Sequence, residues 1–509
     1  MATKPQSRSN STAGQIKPAK QMPVVHPHAA GIDLGNSAHY VCVPADSVPV
    51  GQSPVRQFGV FNPQLDQLVD WLKQCQVQTV AMESTGVMWI PVFQKLETAG
   101  LEVLLVNTKR LKHVPGRKSD VLDCQWIQQL HSYGMLSGSF RPADLICRVR
   151  TLTRQRENVI ASAGVEIQHM QKAMQEMGIH LHVVLSDVAG VTGLAIMDAI
   201  LQGERDPKEL VKLRDWRVRR STVAQMEAAL QGDWREELLF VLGQSRKAYG
   251  FFQERLLELD EKIIALLAEL PEAPPPPPTD GSDRPSPGAP PDAGPEPGAA
   301  APSLPPEGGA PADRAGCGRL QQGPPKDKPK SNRGGNPLPQ DIRGPLARAF
   351  GVDLTRIPGL NMVAVLIILA EVGTDLQGHW RDGDAFAAWL GLCPGSKISG
   401  GKVLSSRTPQ VVNRVAVLLR LAALAVGRTD TCLGIFYRRL KARHGAPKAM
   451  TATARKLAVL IYHLVTHQEA YQEPDRQHYD ERVHKNKVIR LMRQAKALGF
   501  GLVPLEHAA

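Results

Sequence analysis

Strand-forming runs are confined to the first 141 or so positions of a 509-residue chain, and that confinement restricts the fold more than any other feature. From His28 to about Arg141 short β-rich runs alternate with helical ones. "YVCVP", "VQTVAM" and "LEVLLVN" read as strands, and "NPQLDQLVDWLKQC" and "MWIPVFQKLETAG" as helices. Such alternation specifies an α/β layer fold. Asn62 as a cap, with Pro63 at the first helical position, marks the start of the first helix, and Gly100 the end of the second.

Beyond Arg141 the pattern is helical. Val149, Leu152, Val159, Ala163, Ile167, Met170, Met174 and Met177 recur at three- and four-residue steps, the methionines as core filler. Phe252, Leu256, Leu259, Ile263, Leu266 and Leu270 form a heptad seam, which suits either a hairpin within one chain or a dimeric coiled coil. Residues 271 to about 341 are rich in Pro, Gly, Ala and Ser and cannot bury enough to fold. The basic end of that stretch, "KDKPKSNR", reads as solvated. From Asp341 to about Glu473 helical runs return, among them "IPGLNMVAVLIILAEVG", a turn-then-helix segment of the kind that offers backbone N–H groups to phosphates. The expected boundaries are a disordered tail at 1–28, an α/β domain at 29–147 and a helical coiled-coil domain at 148–270. A disordered linker at 271–341, an all-α domain at 342–470 and a basic helical tail at 471–509 complete the chain.

Charge narrows the partner. Lys and Arg number 61 against 49 Asp and Glu, a net charge of +12, with a pI near 9.4, which favours nucleic acid. The seven cysteines contain no CxxC pair, so neither a zinc cluster nor a disulfide framework is indicated and a reducing cytoplasm fits. Residues 1–28 lack an apolar core, which argues against a signal peptide. The longest apolar run, Met362 to Ala370, is about half the ~20 residues a membrane span needs.

Four carboxylates stand where a metal-dependent nuclease would place them. Asp33 ends one strand-like run, Glu83 closes a second, and Asp120 and Asp123 in "KSDVLDCQWIQQL" lie on one helix face. Oxygen-only ligands suit Mg²⁺ or Mn²⁺, and a two-metal site clamps the attacking and leaving oxygens of a phosphodiester. Lys109, Arg110, Lys112, Arg117 and Lys118, with His113 among them, lead into Asp120 and offer charge to a substrate backbone. Taken singly, each acid could equally be a turn former or a solvated surface group. His39, His113 and His131 read as satisfied or surface histidines rather than ligands. A second centre is the Gly- and Ser-rich loop "CPGSKISGGKVLSSRTPQ", with Lys397, Lys402 and Arg407 available to balance phosphate charge. No acid or histidine lies beside its serines in sequence, so a base would come from elsewhere.

The order "GIDLG", "ESTG", "KSDVLD", a helical spacer, "IPGL" and "WLGLCPGSKISGGK" resembles the insertion-sequence 110 family of transposases, relatives of the Piv and MooV invertases, from about residue 29 to 465. The resemblance implies a RuvC-like, ribonuclease H-like α/β domain with an Asp-Glu-Asp-Asp tetrad at Asp33, Glu83, Asp120 and Asp123. It also implies a helical coiled-coil middle and an all-α C-terminal domain with a helix-hairpin-helix-like segment. The family's catalytic serine precedes paired glycines, which falls on Ser399, with Ser396, Ser405 and Ser406 as competitors. Ile398 stands where many members have a second serine, "VLSSRTPQVVNRV" replaces a glycine-rich stretch, and the linker at 271–341 has no usual counterpart. The implied activity is cleavage and rejoining of DNA through a phosphoserine link, with the metal tetrad completing a composite site. The implied partners are DNA, a structured non-coding RNA and further copies of the chain, as homodimer or homotetramer.

Two other readings exist. "GIDLGNS" also resembles the phosphate loop of actin-like ATPases and sugar kinases, but the second phosphate loop and adenosine loop of those folds are absent. A RuvC-like nuclease, or an inactive nucleic-acid-binding relative, would keep the basic surface without the serine chemistry.

Overall fold

The computed structural model describes residues 22–84, 86–107, 120–275, 338–400, 402–409 and 413–501. Most of the expected tail and linker, and the basic run from Lys109 to Lys118, lie outside the described residues. The chain divides into two compact units, 1–141 and 142–509.

The first unit is built on β1 (Ala29–Leu34), β2 (Ala38–Cys42), β3 (Val55–Gly59), α1 (Asn62–Gln74), β4 (Thr79–Glu83), α2 (Trp89–Thr98), β5 (Glu102–Val106) and α3 (Asp120–Ser132). The five strands make one sheet in the order β3-β2-β1-β4-β5. β2 runs antiparallel to both of its neighbours, β3 and β1, and β1, β4 and β5 are parallel. This mixed sheet is compatible with the ribonuclease H-like layer the resemblance implies. A parallel pair needs a crossover, and α1 and α2 supply the two crossovers. Leu65, Leu68, Leu72, Phe93 and Leu96 from these helices bury against Ile32, Val41, Val80 and Met82 of the sheet.

Two local expectations need amending. Asn62 is the first helical residue of α1 and not its cap; the cap position is Phe61, whose N–H is taken by the Gln64 side chain at 3.3 Å. β3, "VRQFG", is an edge strand that the sequence pattern does not signal, because Arg56 and Gln57 both point to solvent. Gly100, by contrast, follows α2 at φ +81°, the left-handed position a helix end favours.

The second unit is helical apart from one ribbon. α4 (Asp144–Glu176) and α9 (Glu236–Glu269) are long partners. Between them α5 (Leu181–Val184), α6 (Val191–Leu201), α7 (Pro207–Lys212) and α8 (Val223–Ala229) close a small core around Met170, Met174, Ile196 and Leu242. The heptad seam therefore serves a hairpin within the chain: Leu256, Ile263 and Leu266 are buried. Arg156 Nε donates to Asp260 at 2.5 Å and Arg148 Nη1 to Glu269 at 3.2 Å, which fixes α4 and α9 as antiparallel. The Arg156–Asp260 pair is almost wholly buried.

From residue 338 onward come α10 (Arg343–Phe350), α11 (Met362–Val372), α12 (Gly383–Trp389), β6 (Lys397–Ser399), β7 (Lys402–Ser405), α13 (Arg414–Val426), α14 (Cys432–His444), α15 (Ala446–His467) and α16 (Arg476–Ala497). α15 is the hub against which α12, α13 and α14 pack. α4 docks onto α11: Arg150 donates to the Ala370 and Glu371 carbonyls at 2.8 and 2.7 Å, and Arg154 binds the Glu371 carboxylate with two hydrogen bonds. Arg414, at the start of α13, pairs with Glu157 of α4. Among the described residues no helix is long and apolar enough to cross a membrane.

Candidate active site

Asp33 lies near the end of β1, the central strand of the sheet. Ile32 pairs with Met82 across the parallel β1–β4 ladder, so Asp33 and Glu83 follow at adjacent strand positions. Asp120 and Asp123 occupy the first turn of α3, where the helix dipole favours negative charge. α3 packs across β1, β2 and β4, and three features hold it there. Gly31 lets the helix backbone approach: a Cβ at this position would stand 2.3 Å from the Gln128 nitrogen and 2.5 Å from the Cys124 carbonyl oxygen. Gln128 Nε2 donates to the Ala29 carbonyl at 3.2 Å. His131 Nε2 lies 2.9 Å from Thr79 Oγ1, linking the helix to β4.

The electrostatics report that the four acids share one neighbourhood. The Asp33 carboxyl is raised to about 6, first by burial, then by the negative charges of Asp123, Asp120 and Glu83; the Leu34 N–H works in the opposite direction. Glu83 Oε1 is buried with no hydrogen-bond partner among the described residues. Crowded carboxylates and a buried, unpartnered oxygen form a donor set for a hard divalent cation. The side chains are not drawn into a finished cage, however: among the described residues no three His, Cys, Asp or Glu groups converge closely enough to ligate an ion.

His39 and His131 are both buried. Burial lowers His131 to about 4, helped by His26, whose ring stacks on it at 5.1 Å, so His131 is a neutral packing group. His39 is buried, held below its usual range by desolvation, and its Nδ1 lacks a partner among the described residues. His113 lies outside the described residues, as do Lys109, Arg110, Lys112, Arg117 and Lys118.

The serine segment, expected as a loop, is an antiparallel ribbon. Ser399 pairs with Lys402 and closes a tight turn at Gly400, which sits at φ +55°. Glycine reaches that conformation without strain. The ribbon's base is tied by the Gly395 N–H donating to the Arg407 carbonyl at 3.0 Å. Ser396, Ser399 and Ser406 are exposed, as are Lys402 and Arg407. Ser405 is half-buried and its hydroxyl accepts a long 3.4 Å bond from the Arg407 N–H. The side chain of Lys397 lies outside the described residues. Among the described residues no acid or histidine hydrogen-bonds Ser399. Ile398 and Leu404 flank it as exposed apolar groups.

Sequence reasoning missed Gly31 and Gln128, and it read His131 correctly as satisfied without seeing what it fastens. Nothing local marks them, since each acts on a partner far along the chain.

Two family models match. One, the DEDD type of IS110 described as a transposase, covers residues 30–179 and so includes all four acids. The other, described as the transposase IS116/IS110/IS902 family, covers residues 353–438 and includes α11 and the serine ribbon. No curated protein matches the chain. The two matched stretches follow one another in the order the motifs run, on either side of the Pro-rich stretch at 271–341. Over both stretches the chain is similar to the insertion-sequence 110 family of transposases, and the two matches support an enzyme that acts on DNA.

Proposed function

We propose that this transposase cuts and rejoins DNA through Ser399, with Asp33, Glu83, Asp120 and Asp123 holding Mg²⁺ or Mn²⁺. The observation that carries the acidic half is placement: Asp33 and Glu83 follow the paired Ile32 and Met82 on neighbouring strands β1 and β4, and α3, with Asp120 and Asp123 in its first turn, packs across both strands. The serine half is supported by the position of Ser399, exposed at a turn where the neighbouring glycine leaves room for a bulky backbone.

In the serine step, Ser399 Oγ attacks the phosphorus of a phosphodiester. The Oγ–P bond forms as the bond from phosphorus to one sugar oxygen breaks, and the serine proton ends on solvent or a base brought by the assembly. The freed sugar hydroxyl of the partner strand later attacks the phosphoserine, restores a phosphodiester and returns the proton to Ser399. Bond energy is conserved throughout, so no nucleotide cofactor is consumed. Lys402 and Arg407, both exposed near the ribbon, offset the charge that develops on the phosphate oxygens, with Lys397 assigned the same work from the sequence. A divalent cation at the tetrad would supply Lewis-acid stabilisation of phosphate charge. Asp33 and Glu83, fixed by the sheet, and Asp120 and Asp123, fixed by α3, would be its oxygen ligands.

The turn and helix at 356–372 form the DNA-backbone hairpin in this reading. Gly359 sits at φ +88°, with Val426 and Ala422 within 3 Å of any added Cβ. Asn361 caps α11 through the Ala364 N–H at 2.8 Å. A structured non-coding RNA and assembly as a dimer or tetramer complete the proposal by kinship.

A plasmid excision assay with Ser399→Ala and Asp33→Ala tests it. Both variants are expected to lose recombination. Recombination retained by both overturns the mechanism. Retention by Ser399→Ala alone points to a RuvC-like nuclease, and an inactive parent to a decayed relative.

A further inference from the structure

The loop between α7 and α8 carries features that neither reaction centre uses. Across 212–220 the sequence reads "KLRDWRVRR", with Lys212, Arg214, Arg217, Arg219 and Arg220 set against the single acid Asp215. Trp216 at its apex is 73% exposed. Leaving an indole this open forfeits a large hydrophobic gain, so an exposed tryptophan in an ordered loop marks a contact made with something else.

The loop is ordered by its own bonds. Both flanks are anchored, Leu210 and Val211 on one side and Met226 and Leu230 on the other, all buried in the core between α4 and α9. The Asp215 N–H donates to Thr192 Oγ1 at 3.0 Å, the Asp215 carboxylate accepts from the Arg217 N–H at 2.8 Å, and the Val218 N–H returns to the Asp215 carbonyl at 3.0 Å. Arg214 is spent inside the loop, its Nε donating to the Val218 carbonyl at 3.0 Å, and buried Ser221 donates to the Val184 carbonyl at 2.9 Å. Lys212 is paired with Glu209 at 2.5 Å. That leaves Arg217, Arg219 and Arg220, all exposed and none with an ion pair among the described residues. The Arg217 guanidinium lies 5.2 Å from the Trp216 ring centroid, so the platform and one cation are already set together.

We propose that this loop is a stacking site for an unpaired nucleotide, with Trp216 as the platform for the base and Arg217, Arg219 and Arg220 taking the adjoining phosphates. Base stacking on an aromatic ring needs no particular base, and guanidinium groups suit phosphate oxygens. The occupant is single-stranded nucleic acid rather than protein because the loop's surplus charge is positive and the enzyme's substrate is a polyanion. The proposal rests on the chain's action on DNA and not on the assignment of Ser399 or the acidic tetrad.

The experiment uses full-length Ser399→Ala protein, so that binding is read with the serine step removed, and measures fluorescence anisotropy of labelled, mixed-sequence single-stranded oligonucleotides across a salt series. DNA and RNA of the same sequence are run in parallel, and the tighter of the two identifies the strand the loop serves. Trp216→Ala is expected to weaken binding about 10-fold while Trp216→Phe largely restores it. Arg219→Ala/Arg220→Ala is expected to lower the slope of log affinity against log salt by about 1.4, the value for two contacts on a single strand. Photocrosslinking with iodouracil-substituted oligonucleotides should map to Trp216. Parent-like affinity and salt slope in both the tryptophan and the arginine variants, with crosslinks mapping elsewhere, overturn the proposal. Because Trp216 and the arginines are exposed, circular dichroism should show all variants folded.

Discussion

Gly31→Ala is the substitution that most sharply couples the fold to the acidic centre. The added methyl would stand 2.3 Å from the Gln128 nitrogen, 2.5 Å from the Cys124 oxygen and 2.8 Å from the Gln128 Cα, all backbone atoms of α3. Carbon contacts settle near 3.5–4.0 Å, so the helix must retreat by roughly 1 Å, and no rotamer change can relieve the clash. Overpacking of this kind costs typically about 1–3 kcal/mol, and with only backbone to yield the upper end applies. For a unit of this size that lowers Tm by roughly 10 °C. The same retreat carries Asp120 and Asp123 away from Asp33, and a misplacement of about 1 Å costs on the order of 100-fold in rate. Calorimetry of the N-terminal transition and a plasmid excision assay read the two effects. Gly164→Ala is the control: it lies inside α4, nothing is within 4 Å of its would-be Cβ, and helix propensity favours alanine by up to about 1 kcal/mol. If Gly31→Ala melts and recombines like the parent, then α3 is not seated on β1 as described, and the placement of the acids falls with it.

Other perturbations have equally definite signs. His131 titrates at 6.5 when unfolded but at about 4 in the fold, so between those values the unfolded chain holds more protons and stability falls as pH falls, by up to about 3 kcal/mol. Asp33, raised to about 6, contributes with the opposite sign over the same range, so the His131 share is read as the difference between the urea midpoints of the parent and His131→Gln across pH. Asp260→Ala breaks a buried ion pair with Arg156 and should destabilise by up to about 3–5 kcal/mol, whereas Arg156→Met with Asp260→Met should recover most of it. Asp33→Asn removes a carboxylate that burial and three neighbouring charges oppose, so with chelator present this variant should melt above the parent. Saturating Mg²⁺ should raise the parent's stability by about 2.7 kcal/mol at one hundred times Kd and leave Asp33→Asn unmoved.

The sequence disclosed the acids and hid what holds them. Asp33, Glu83, Asp120 and Asp123 are legible because each sits at the end of an apolar run or at the head of a helix, where local periodicity places it. Gly31, Gln128 and His131 are not, because they act on partners 99 and 52 residues away or on a helix backbone that no local pattern announces. β3 escaped notice because an edge strand with Arg56 and Gln57 outward has no clean apolar alternation. The serine ribbon reads as a loop for the same reason: Ile398 and Leu404 are exposed, so burial gives the segment no pattern. The heptad at 252–270 correctly marked an apolar seam, yet its partner is α4 of the same chain, fastened by an ion pair between Arg156 and Asp260 that an apolar repeat cannot reveal.

The claim that Ser399 forms the covalent link to DNA is tested most directly by trapping the intermediate. Denatured reactions of the parent with labelled element-end DNA should yield a protein–DNA adduct, and mass spectrometry after nuclease digestion should find a nucleotide phosphate on the peptide carrying Ser399. The adduct should vanish in Ser399→Ala and persist in Ser396→Ala, Ser405→Ala and Ser406→Ala. Full recombination by the parent with no adduct, or an adduct on any other residue, would contradict the account.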